Sequence, residues 1–268
     1  MINFFLHSRV LLIFVTPFLL GCFSVFSFQP YNFTFINFLI FPCLFFILCN
    51  INKRSKNKYR KKPHLINIFY AGYFFGIGFF LTGTYWISNS LQFDQSLKNL
   101  IPLTIILIPL VLGLFYGLAT LICGKYLNYN IRSIFLFCAV ISTVDYLRAK
   151  IFTGFPWNSP SHLILTHVYL SQIASVIGQN GSAFLILLFT VSLCFLCLRS
   201  WKLCFLCIMP FIMSVFYGYW RIDYASVPIN LALEQNSDYL IRIVQPNIPQ
   251  NQRWKPEYKD LHIDSLIA

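Results

Sequence analysis

Charge is what this sequence has least of. The 268 residues include 20 Lys plus Arg and only 8 Asp plus Glu, 10% charged in all, while 57% are apolar. Soluble domains average about 25% charged residues, so an ordinary water-surrounded globular domain is excluded. A disordered chain is excluded as well, because disorder requires low hydrophobicity and this composition is the reverse. The shortage of acid leaves a formal net charge of +12. Such a surplus suits nucleic acid in principle, yet seven of the twenty basic residues lie between Lys53 and Lys62, flanked by hydrophobic runs, where membrane topology places them. Cysteine is also absent after Cys207, so thiol chemistry is excluded from the C-terminal segment.

What is present is long hydrophobic sequence. A transmembrane helix needs about 20 apolar residues, and no charged residue occurs from Val10 to Asn52, with a turn signal at Gln29-Pro30-Tyr31-Asn32. Charge-poor stretches predict seven crossings, at about 10–28, 33–50, 65–88, 100–122, 132–151, 167–198 and 203–220. Lys and Arg in the short loops set the orientation. A cytoplasmic N-terminus puts Arg9, the Lys53–Lys62 cluster, Lys125, Arg132, Arg199 and Lys202 on one side. Lys98, Arg148, Lys150 and Arg221, accompanied by Asp94, Asp145 and Asp223, fall on the other, and everything after Trp220 lies on the outer face. Leu19-Leu20-Gly21-Cys22 has the shape of a lipoprotein-processing box, but the apolar run continues to Phe28, so the first span reads as a retained anchor.

The two C-x-x-C pairs, Cys194/Cys197 and Cys204/Cys207, both read CFLC within apolar helices. They read as small buried hydrophobes rather than as zinc or redox ligands. His162 and His167 are five apart, which is not the spacing that puts two ligands on one helix face. No metal site is expected. Glycines at 72, 76, 78, 83, 113 and 117 fit close helix contacts in lipid. Asp145 and Arg148 are more informative, because charge near a membrane helix end is costly unless paired, and i, i+3 spacing lets the two meet. They form either a structural pair or part of a site at headgroup level. The stretch Phe152-Thr153-Gly154-Phe155-Pro156-Trp157-Asn158-Ser159-Pro160 is too irregular to face hydrocarbon and belongs at the interface or on a cavity wall.

After Trp220 the composition turns polar. Tyr239 to Gln245 is β-rich and stops at Pro246, predicting one strand followed by a loop. One strand does not make a core, and the 48 residues from 221 to 268 approach the lower limit for an independent domain.

Three blocks together carry a family resemblance. The first is Tyr73-Phe74-Phe75-Gly76-Ile77-Gly78-Phe79 with Gly83 and Trp86-Ile87. The second is Asp145-Tyr146-Leu147-Arg148 leading into Thr153-Gly154-Phe155-Pro156-Trp157. The third is Val244-Gln245-Pro246-Asn247-Ile248-Pro249-Gln250 followed by Trp254. In order and spacing the set resembles the apolipoprotein N-acyltransferases, and it covers nearly the whole chain.

The resemblance implies a bacterial inner-membrane enzyme in which an all-α multi-pass bundle carries a periplasmic nitrilase-like αββα domain. Such an enzyme moves an acyl chain from a phospholipid donor to a cysteine thiol, and then to the α-amino group of the diacylglyceryl-cysteine of an apolipoprotein. A Glu-Lys-Cys triad supplies base, oxyanion stabilisation and nucleophile. Family triads follow the Q-x-N-I-P-Q block; here Ala268 lies eighteen residues past Gln250, and Glu257 does not match the triad position. No catalytic residue is carried over, and no cofactor or metal is implied. Asp145 and Ala149 stand where the family usually has Glu and Gly.

The resulting expectation is a truncated acyltransferase, inactive alone: a bundle at 1–220, then the incomplete first strand of the nitrilase-like domain within 221–268. Pro156 and Trp157, beside Arg148, would border the entry for substrate, and Trp254 would contact acyl chains, each with a structural role as the alternative. Two other readings stand beside this one: half of a split enzyme that needs a second chain, and a non-catalytic transporter or scaffold, which would be expected to carry charge along its spans.

Overall fold

The computed structural model describes residues 10–56, 63–93, 96–151, 154–223, 243–249, 252–253 and 255–267. Among these, every regular element is helical. The first, α1 (Leu11–Ser27), opens as a π turn over Leu11–Val15, where the Thr16 N–H reaches back to the Leu11 carbonyl. Pro17 follows directly; a proline lacks the N–H that an α-helical ladder needs, which favours a widened turn there. Then come α2 (Asn37–Lys56), α3 (Pro63–Thr84, continued as a 3₁₀ segment through Phe93), α4 (Ile101–Gly124) and α5 (Ile131–Arg148). The Asn130 carboxamide caps α5, accepting the Ser133 N–H at 2.9 Å. Two short helices, His162–Leu165 and Val168–Ser171, precede α6 (Ala174–Ser192), and α7 (Trp201–Asp223) follows it.

Five helical stretches are long and apolar enough to cross a membrane: Thr34–Lys53, His64–Gln92, Lys98–Gly124, Ala174–Cys197 and Trp201–Asp223. Five of the seven expected crossings thus have a counterpart among the described residues, and the first and fifth are not confirmed. The expected first span is helical over only 17 residues, Leu11–Ser27, short of the roughly 20 that a span requires. The expected fifth is the 18-residue α5, which carries Arg132, Asp145 and Arg148. The expected sixth begins later, at Ala174, and is broken at Gly178, whose φ is 68°.

Hydrophobicity does not pull helices together in lipid, so close packing must do so. Two close seams are built on glycine. Between α3 and α4, a Cβ on Gly76 would lie 2.8 Å from the Cα of Gly113; between α1 and α3, one on Gly78 would lie 2.2 Å from the Phe18 carbonyl oxygen. Thr120 on α4 adds a hydroxyl donated to the Ile68 carbonyl at 3.1 Å. The core behind these seams is aromatic, with Phe41, Phe45, Phe75, Phe79, Phe80 and Phe137 all buried. The outward side of α4 is apolar too: Leu103, Ile106, Leu107, Leu110, Leu114, Leu118 and Ile122 are exposed along one stripe, as a lipid-facing surface requires.

The expected strand at Tyr239–Gln245 is not found. Residues 239–242 lie outside the described residues, and 243–249 have no regular secondary structure. No strand occurs among the described residues to pair with it, and an extended segment gains a ladder only from a partner. Helix α7 runs to Asp223, three residues past the expected domain boundary. Downstream, a 3₁₀ turn at Pro256–Tyr258 leads into α8 (Lys259–Ile267), which sequence patterning did not anticipate.

Candidate functional site

The last turn of α5 and the segment after it form the most highly constrained polar cluster. Asp145 and Arg148 stand on one face and form a buried ion pair, with Arg148 Nη2 donating to Asp145 Oδ1. Arg148 Nη1 donates to two carbonyls of the following loop, Phe155 at 2.5 Å and Trp157 at 2.9 Å. The second carboxylate oxygen of Asp145 accepts the Ser159 hydroxyl at 2.6 Å, and Ser159 in turn lies 2.8 Å from the Ser161 hydroxyl. The guanidinium therefore holds the loop through two carbonyls and its counter-ion holds it through the Ser159 hydroxyl. Arg148 is only 1% exposed, with its guanidinium 5.1 Å from the Phe80 ring centre and 5.8 Å from that of Phe155.

The loop path depends on its own sequence. Gly154 has φ +82°, and a Cβ there would sit 2.3 Å from the Ala149 carbonyl oxygen, so the turn off α5 needs glycine. The Phe155 N–H then donates back to the Arg148 carbonyl at 3.0 Å. Asn158 also has positive φ, at 57°, a conformation asparagine tolerates better than most residues. Its amide donates to the Gly83 carbonyl at the end of α3, at 3.1 Å. The Trp86 indole N–H donates to that same carbonyl at 3.0 Å, and the Trp86 and Trp157 rings meet edge to face, 5.9 Å between centres.

The four residues singled out from sequence separate here. Arg148 is interior, bonded to the loop backbone and to Asp145. Pro156 and Trp157 are exposed on the rim, Trp157 by 53%. Trp254 lies outside the described residues. Ser159, Asn158 and Trp86 fall within longer blocks read from sequence, but that reading does not give their contacts with Asp145, Gly83 and Trp157. The Ser159 bond could have been anticipated, since a buried carboxylate needs more acceptor bonds filled than one arginine provides. Nearby, burial pushes the His162 imidazole below its usual pKa range, with Arg148 acting in the same direction and Asp145 against it.

The cysteines are not joined in disulfides. All nine are free thiols, and most are buried, although Cys43 and Cys197 are exposed on the helix surface. No group of three or more potential metal ligands occurs among the described residues. Chemically, the arrangement is a rigid buried ion pair presenting two tryptophans and a proline on an exposed ledge. Exposed tryptophans of this kind suit the boundary between acyl chains and headgroups.

Comparison with known proteins places this cluster in a family. Residues 20–192 match the family model described as the apolipoprotein N-acyltransferase N-terminal domain, a span that includes Asp145, Arg148 and the whole loop. The apolipoprotein N-acyltransferase of Brucella melitensis is 27% identical over 257 residues, 95% of this chain and 47% of that protein. That of Rhizobium etli is 27% identical over 232 residues, 86% of this chain and 43% of its own length. That of Rickettsia bellii is 28% identical over 187 residues, 69% and 37% respectively. The chain thus spans less than half the length of these curated relatives, and on the match to residues 20–192 it belongs to the apolipoprotein N-acyltransferase family.

Proposed function

We propose that these 268 residues are the membrane half of a lipoprotein N-acylation enzyme of the bacterial inner membrane, with the N-terminus cytoplasmic and the segment after α7 periplasmic. In this reading the helices admit the phospholipid acyl donor and the apolipoprotein at the outer headgroup level. The ledge of Pro156, Trp157 and Trp86 borders the entry, and Trp254 contacts acyl chains. The observation that carries the proposal is the pinned loop. Arg148 bonds the carbonyls of Phe155 and Trp157 and Asp145 accepts the Ser159 hydroxyl, within the family-matched region, and Trp157 is left exposed.

Acyl transfer itself is assigned to groups outside this set of residues. It calls for a thiolate that attacks the phospholipid ester carbonyl, expels the lysophospholipid alkoxide and then yields its acyl group to the lipoprotein amine. The last cysteine here, Cys207, lies inside the apolar helix α7 and is 1% exposed. The residues from 221 onward belong, on this account, to the start of a nitrilase-like domain.

The test is a bacterial strain depleted of its own N-acyltransferase. Expression of this chain joined in frame to the C-terminal half of the Brucella melitensis relative is expected to restore N-acylated lipoproteins. A Trp157→Ala version should lower their yield about tenfold without lowering the amount of membrane-inserted protein. An unchanged yield would remove Trp157 from substrate entry.

A further inference from the structure

A small cavity lies between α4 and α5, lined by Phe115, Tyr116, Ala119, Ile141, Val144, Asp145 and Arg148. The centre of a water-sized sphere can move through about 10 Å³ of it, the least space that holds one water molecule. Its walls are mostly apolar, with three polar exceptions. Tyr116 is 5% exposed and Arg148 is 1% exposed, and neither the Tyr116 hydroxyl nor Arg148 Nε has a hydrogen-bond partner among the described residues. Both are donors, and a buried donor left unpaired is costly. The third exception, Asp145, is an acceptor; its carboxylate takes one bond from Arg148 and one from Ser159, leaving lone pairs over.

We infer that this cavity is a built site for one water molecule that joins α4 to the ion pair. A single water satisfies both unpaired donors: its oxygen accepts from Arg148 Nε–H and from the Tyr116 hydroxyl, and one of its hydrogens goes to Asp145. Three bonds is the number a buried water ordinarily makes. The site adds Nε–H to the bonded donors of the guanidinium, whose other named bonds go to Asp145 and to the Phe155 and Trp157 carbonyls. Tyr116 thereby becomes a positioning residue for the loop, acting through the water and Arg148 rather than by touching the loop. Its ring is held for this role by Phe75, Phe79 and Phe80, at centre distances of 5.3, 5.7 and 5.9 Å.

The experiment has two parts, both on the full 268-residue chain in lipid nanodiscs. An experimental density map fine enough to show other ordered waters is expected to show a peak within hydrogen-bond reach of Tyr116 Oη and Arg148 Nε. The Tyr116→Phe variant, which keeps the ring and its packing, is expected to melt about 2–4 °C lower. An empty cavity in that map overturns the inference. So does a Tyr116→Phe protein that melts at the same or a higher temperature, because removing a dry, unpaired hydroxyl relieves a cost instead of breaking a bond.

Discussion

The Asn158 side-chain amide donates to the carbonyl of Gly83 across 75 residues of sequence, at 3.1 Å. This bond ties the loop after α5 to the C-terminal end of α3, and it leaves no space for a side chain at 83, where a Cβ would fall 2.2 Å from Asn158 Nδ2. Asn158→Ala loses both the bond and a residue tolerant of φ 57°, and is expected to cost about 1–2 kcal/mol. Asn158→Gly keeps the backbone conformation open and should cost less. Equilibrium unfolding in mixed detergent micelles checks the order of the two variants.

Arg148→Ala should be among the most damaging single changes in the protein. It strands the Asp145 carboxylate in the interior and frees two loop carbonyls, and breaking a buried pair by removing one partner costs about 3–5 kcal/mol. Arg148→Lys keeps the charge but cannot reproduce a fork that reaches Asp145 and two carbonyls at once, so it should recover only part of the loss. Melting temperature, read together with protease sensitivity at 154–161, separates the loss of the loop from the loss of the bundle.

Gly154→Ala forces a Cβ to within 2.3 Å of the Ala149 carbonyl in a positive-φ turn. A cost of about 1–3 kcal/mol is expected, concentrated in the loop, because α3–α4 packing does not involve it. Hydrogen exchange should show faster exchange at the Phe155 amide, which donates to the Arg148 carbonyl, with the helices unchanged.

Trp157 and Trp86 are both exposed and touch edge to face, so they should share one depth in the membrane. In variants that keep Trp86 or Trp157 as the single tryptophan of the chain, quenching by phospholipids brominated near the headgroup is expected to exceed quenching by chain-terminal bromines for each. Deep quenching of either would place the ledge in hydrocarbon.

Some of this was legible in the sequence. The spacing of Asp145 and Arg148 announced their pairing, and the glycines of α3 and α4 announced close helix contacts, because both depend on short-range helical geometry. The number of crossings was not legible from charge gaps alone. Such gaps do not register the π turn ahead of Pro17, and the charge-free run inside α5, from Ser133 to Val144, is itself shorter than a span. Asn158 meeting Gly83, and Tyr116 sharing a cavity with Arg148, depend on tertiary contacts that no local pattern encodes. Helix α8 escaped because its nine residues, Lys-Asp-Leu-His-Ile-Asp-Ser-Leu-Ile, mix apolar with polar residues and carry no sustained apolar stripe. The β-rich run ending at Gln245 was read from propensity, which depends on cross-strand neighbours for its effect.

The most direct test of the account is the N-terminal chemistry of lipoproteins in cells whose own N-acyltransferase has been depleted. Mass spectrometry of a major lipoprotein should show free α-amino groups when these 268 residues are expressed by themselves, and N-acylated termini when they are joined to the C-terminal half of the Brucella melitensis relative. N-acylated termini with these 268 residues alone would contradict the assignment of the chemistry to residues outside them.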